Sequence, residues 1–237
     1  MSENAFSTLS AIAGWADDYQ QQIHISGGTD PVLPTSFKIT ETSTAALSAV
    51  GLAINDLWEI RTGKRQDIAI NSRQATASLR SGKYMDMDTA PVSTERNPVM
   101  GVYPAQNGRW SYLHCNFPNH RAAALQVLGV SEDKEEVRRA VSQWDALELE
   151  EAIIKAKGAG GMVRSMEEWA HHPQAAAISS LPLMEIIKIA DSPPETLPEG
   201  GRPLSGVRVL DLTRELAGPT CARTMACLLY TSPSPRD

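Results

Sequence analysis

Between Gly206 and Pro219 the chain reads Gly-Val-Arg-Val-Leu-Asp-Leu-Thr-Arg-Glu-Leu-Ala-Gly-Pro, and no other stretch restricts the fold as much. Val207, Val209, Leu210 and Leu212 make a short, nearly continuous apolar run behind a Pro-rich segment, the pattern of a buried parallel strand. Thr213 to Ala217 read as a loop, and Gly218-Pro219 open a helix. Proline is tolerated there because its missing N–H would be unpaired in the first turn anyway. A strand, a tight loop and a helix N-terminus present free backbone N–H groups and a positive dipole end, which suit a phosphate or a carboxylate. An ordinary βα unit with no ligand fits the same pattern. The G-x-G-x-x-G spacing of a dinucleotide site is absent, since Gly218 stands alone in the turn.

Elsewhere the patterns are helical or hairpin-like. Ala5 to Tyr19 read as a helix interrupted by Gly14. Thr40 to Arg61 form the clearest helix, with Leu47, Val50, Ile54, Leu57 and Trp58 on one buried face, Thr40 or Thr42 as cap and Gly63 as the left-handed stop. Small residues such as Ala49 and Gly51 allow another backbone to approach. Gln66 to Asn71 read as a strand, and Ser72 as the cap of a helix toward Leu79. Asn97 to Asn116 read as a hairpin turning at Gln106-Asn107-Gly108, with Trp110, Tyr112 and His114 alternating on the return strand.

From Ser131 to Trp169 the chain is helical and charged. Ser131 is the expected cap of one helix, Asp145 with Glu148 a capping box for a second that ends near Gly158, and Ser165 with Glu168 a capping box for a third. Glu148, Glu150 and Glu151 read as a solvated face, Lys64-Arg65 as a solvated turn, and His171-His172-Pro173 as a helix junction. Leu183 to Ala190 read as a strand. Asp191 to Pro203 hold four prolines without apolar periodicity and read as a semi-extended linker.

Three stretches carry a resemblance. PLSGVRVLDLTRELAGPTCARTMA, Pro203 to Ala226, resembles the opening strand and loop of the family III CoA-transferases, the superfamily of formyl-CoA transferase, carnitine CoA-transferases and acyl-CoA racemase. GLAINDLWEIRTGKRQDIAI, Gly51 to Ile70, is similar to that family's helix, Thr-Gly turn and strand, departing at Arg65 where the family usually has glycine. NPVMGVYPAQNGRWSYLHC, Asn97 to Cys115, is similar to the hairpin that begins its smaller domain, with Asn107 in place of a common Asp.

The resemblance implies a Rossmann-like α/β fold, incomplete here, with a smaller α+β domain at about 97–170. Its sheet would draw on residues 40–80 and 183–226. Residues 1–190 would be a partial, degenerate unit, 191–203 a linker, and 204–226 the first βα element of a second unit. Cys227 to Asp237 look like a sequencing-library adapter read in frame and are expected to be an artefact.

The implied chemistry moves coenzyme A between an acyl-CoA and a small carboxylic acid. An aspartate attacks the thioester carbonyl to give a mixed anhydride, then a protein–CoA thioester, then the new acyl-CoA, while backbone N–H groups hold the oxyanion. Coenzyme A enters as a thioester substrate, and Arg214, Glu215, Leu216 and Ala217 are the residues implied to contact it. The nucleophile is expected in sequence that this fragment lacks, so no catalytic residue is assigned. Asp67, Asp86 and Asp88 have no activating neighbour, and Asp211 reads as a loop-orienting carboxylate. A homodimer is implied for the intact protein. Two alternatives remain: a non-catalytic scaffold or dimerisation module, and an acyl-CoA racemase relative whose His/Asp pair falls in the same missing region.

Composition bounds the partners. The 237 residues are 42% apolar and 21% charged with a net charge of −6, an ordinary globular balance whose acidity disfavours nucleic acid and anionic membranes. No signal peptide or membrane span is read, and the three cysteines make neither a disulfide framework nor a C-x-x-C site. A cytoplasmic location is the expectation. His114-Cys115 with His120 match no standard metal spacing, and no metal is expected.

Overall fold

A computed structural model of the chain describes residues 5–15, 17–28, 32–84 and 97–229. Two compact units emerge: Met1–Asp86 together with Met184–Asp237, and Met87–Leu183.

The first unit begins with α1 (Ala5–Ala13), a 3-10 turn at Asp17–Gln22 and β1 (Ile23–Ser26). β1 arises from a region without clear periodicity. It pairs in parallel with β2 (Ile68–Asn71), Ile23 opposite Ile68 and Ser26 opposite Asn71. The crossover between them is α2 (Ile39–Thr62), and α3 (Ser72–Ser78) follows β2.

α2 stops where the sequence says it should. Gly63 takes the left-handed conformation at φ 70 and donates its N–H to the Glu59 carbonyl. Its start and its buried face differ from expectation. Lys38 occupies the N-cap with no side-chain hydrogen bond, because the threonine hydroxyls are engaged elsewhere. Thr42 donates to the Lys38 carbonyl, while Thr40 accepts from Thr76 of α3.

The buried face is Ser43, Thr44, Ala45, Ser48, Leu52 and Asn55, not the row through Leu47, Val50 and Trp58. Small side chains let α1 and α3 pack close against α2, and hydroxyl groups from Thr40, Ser43 and Thr76 bond within that interface. The larger apolar side chains are left half-buried, with Val50 37% exposed. Asn71, not Ser72, caps α3 by accepting from Arg73 and Gln74 N–H.

The second unit holds the antiparallel sheet β3 (Gly101–Pro104), β4 (Trp110–Leu113) and β5 (Gly160–Met162), in the order β3-β4-β5. The hairpin turns where expected, with Asn107 at φ 58. Around the sheet lie α4 (Pro118–Leu128), α5 (Lys134–Val141), α6 (Ala146–Lys155), α7 (Met166–Ala170) and α8 (Pro173–Ser179). Val99, Tyr103, Leu113, Cys115, Val137 and Ile153 belong to one apolar core. Burial pushes the Cys115 thiol up to about 11 and raises the Tyr103 hydroxyl.

Two of the three expected caps stand in this unit. Asp145 caps α6 by accepting from Leu147 and Glu148 N–H, though Glu148 does not complete the expected box, and Ser165 with Glu168 closes a full capping box. α5 is instead capped by Asp133, because the Ser131 hydroxyl donates to Glu136 at 2.6 Å. Glu150 is no solvated carboxylate: it takes Arg164 in a two-pronged ion pair and also accepts the Met162 N–H at 2.7 Å.

After α8 the chain returns to the first unit and ends the described residues in α9 (Ala217–Leu229). No strand forms over 183–190 or 206–212. Both runs are largely exposed, Ile189 at 94% and Leu212 at 84%. A strand exists only by pairing its N–H and C=O groups with a neighbour, and neither run pairs with a described strand. Among the described residues no helix is long and apolar enough to cross a membrane.

Candidate functional site

The loop singled out by sequence is open to solvent. Arg214, Glu215, Leu216 and Ala217 are all exposed, and Leu216 is 82% exposed. Asp211 orients the approach, since one carboxylate oxygen accepts both the N–H and the hydroxyl of Thr213. Glu215 sits at φ 74, a conformation that side chains beyond glycine seldom adopt, and α9 begins two residues later. Arg214 and the exposed Leu216 thus stand directly ahead of the first turn of α9.

A second feature of the same unit lies between α2 and β2. Asn55, 3% exposed, donates to the Gln66 carbonyl at 2.8 Å and accepts the Gln66 N–H at 2.9 Å. This clasp fixes the chain entering β2 against the helix. Gly51 allows the approach: a Cβ there would stand 2.9 Å from the Ile68 side chain. The result is a cleft of about 370 Å³ with Ile54, Trp58 and Ile68 as apolar wall, Gln66 and Asp67 as polar lining, and Gly201 and Pro203 across from them.

Two arginines hold this neighbourhood. Arg61 donates to the carbonyls of Pro198, Pro203 and Ser205, which binds the Pro-rich segment to the end of α2. Arg65 is not a solvated turn residue. It pairs with Asp56 at 2.7 Å and Glu59 at 2.6 Å, donates to Gln22, and stands 5.0 Å over the Tyr19 ring. Trp15 completes the cluster by donating to Asp56.

Of the other singled-out residues, Asp67 is exposed beside the cleft, while Asp86 and Asp88 lie outside the described residues. β4 ends at Leu113, so His114 and Cys115 lie just past the strand, His114 half-buried and Cys115 fully buried. His172 caps α8 through Nδ1 and stacks on Trp169 at 5.4 Å. Among the described residues no three His, Cys, Asp or Glu side chains gather into a metal-binding group, and the three cysteines are free thiols. The sequence reading missed Arg61, Asn55 and the cleft. A buried asparagine in the middle of an amphipathic helix was the available signal, because such an amide must find partners.

No protein-family model matches the chain. It is similar to the acetyl-coenzyme A transferase nodX of Hypoxylon pulicicidum, 25% identical over 86% of this chain and 42% of that protein. It is also similar to an acyl-CoA transferase of Gibberella moniliformis, 26% identical over 87% of this chain and 42% of that protein. The chain thus spans less than half the length of these curated relatives. In fold it is similar to Rv3272 from M. tuberculosis in an orthorhombic crystal form, with a TM-score of 0.53, 12% identity, and coverage of 72% of this chain and 62% of that one. A further Rv3272 structure aligns with a TM-score of 0.50 at 11% identity, over 60% of this chain and 43% of that one.

Proposed function

We propose that this polypeptide serves an enzyme of the family III CoA-transferase kind, moving coenzyme A between an acyl-CoA and a small carboxylic acid. The observation that carries the reading is the match, over most of the chain, to two fungal proteins named for CoA transfer. The parallel pair β1 and β2 joined through α2 is compatible with a Rossmann-like sheet, and the three quoted stretches support the family.

In this reading the loop from Arg214 to Ala217 meets the thioester substrate. Arg214 faces its phosphates, and Leu216 packs on its apolar arm. An aspartyl nucleophile would take the acyl group, and none of this chain's aspartates is assigned that role. The assembled enzyme works as a homodimer.

Calorimetric titration with acetyl-CoA tests the assignment. Saturable binding is expected, and Leu216→Asp should weaken it about tenfold by setting a carboxylate against the ligand. Unchanged affinity in that variant would remove the loop from the site, and an absence of binding in the parent protein would remove the reading.

A further inference from the structure

The cleft between α2 and β2 carries more recognition chemistry than a packing groove needs. Its wall of Ile54, Trp58 and Ile68 offers an aromatic ring and aliphatic carbon to a flat apolar ligand. Both functions of the Asn55 amide are spent on the Gln66 backbone, so the polar side chains left to a ligand are those of Gln66 and Asp67. The volume of about 370 Å³ lies in the range of small-molecule sites.

The charge pattern narrows the ligand. Asp56 and Glu59, on the adjoining turns of α2, are neutralised by Arg65, which leaves Asp67 as the acid lining the cleft. An ionised carboxylate only accepts hydrogen bonds, so it welcomes N–H groups and opposes a phosphate. A glutamine amide matches an edge that sets a donor beside an acceptor, the edge adenine presents with N6 and N7. Stacking on an indole adds affinity for the same ring.

We infer that this cleft holds the adenine base of a nucleoside-bearing ligand, with Trp58 stacking on the ring and Gln66 and Asp67 reading its amino edge. The base comes from an adenine-bearing coenzyme or from a free adenine nucleotide. The inference rests on the coenzyme A reading only where it prefers the first source.

Calorimetry on the full chain with adenosine, coenzyme A and pantetheine separates the cases. Adenosine and coenzyme A should bind and pantetheine should not compete with adenosine. Gln66→Leu and Asp67→Ala should each weaken adenosine about tenfold, with unchanged circular dichroism showing that both variants fold. Adenosine binding without coenzyme A binding supports the cleft and removes the coenzyme reading. Coenzyme A binding that neither substitution alters overturns the cleft assignment and leaves the coenzyme reading standing. Failure of adenosine to bind also overturns the cleft.

Discussion

Glu168 shows how much one carboxylate can organise. It takes Arg109 through two contacts of 2.6 and 3.0 Å and closes the start of α7 by accepting the Ser165 N–H. The Arg109 guanidinium holds its carboxyl down from the usual 4.5 to about 2. A carboxyl with a lowered folded pKa stabilises above its unfolded value and loses that contribution as pH falls through the folded one. Acid should therefore loosen α7 between pH 4.5 and about 2. In Glu168→Gln that acid-dependent loosening should be absent, as hydrogen exchange of residues 165–170 across this range will show. The capping box is legible from sequence because its partners stand three residues apart. Arg109 is not, because it comes from a hairpin 59 residues away. Asn55 repeats the lesson in the other unit. Asn55→Ala strands the Gln66 N–H and carbonyl and should cost roughly 2 kcal/mol in denaturant unfolding.

α2 was the element most plainly written in the sequence, yet its orientation was not. Its length and its glycine stop follow from local rules. The choice of buried face does not, because it depends on which neighbour can come closest, and serine, threonine and alanine admit α1 and α3 where leucine and tryptophan do not. Gly63→Ala, at φ 70, should cost about 1 kcal/mol in thermal unfolding. Gly51→Val should cost more, because its Cβ already meets Ile68 at 2.9 Å and the branch adds to the overlap. The stretch from 206 to 212 makes the opposite point. Its apolar pattern states strand, and α9 forms just after it, but pairing is a property of two segments, and one segment's sequence carries only half of it.

Over the whole chain, the two units differ in what fills them. Met87–Leu183 encloses a continuous apolar core, whereas the helices of the first unit meet through Ser43, Thr44, Ser48 and Thr76, with larger apolar side chains left toward solvent. The hairpin and the caps at Asp145 and Ser165 were readable because each is a local signal, while the parallel pairing of β1 with β2 spans 45 positions and β1 gave no signal of its own. Acyl-CoA recognition is proposed for the first unit, which contains both the loop ahead of α9 and the cleft on α2. Hydrogen–deuterium exchange of the full chain with and without acetyl-CoA tests that placement most directly. Protection of residues 213–217 and 51–68 is the predicted result; protection confined to Met87–Leu183, or none at saturating acetyl-CoA, would contradict it.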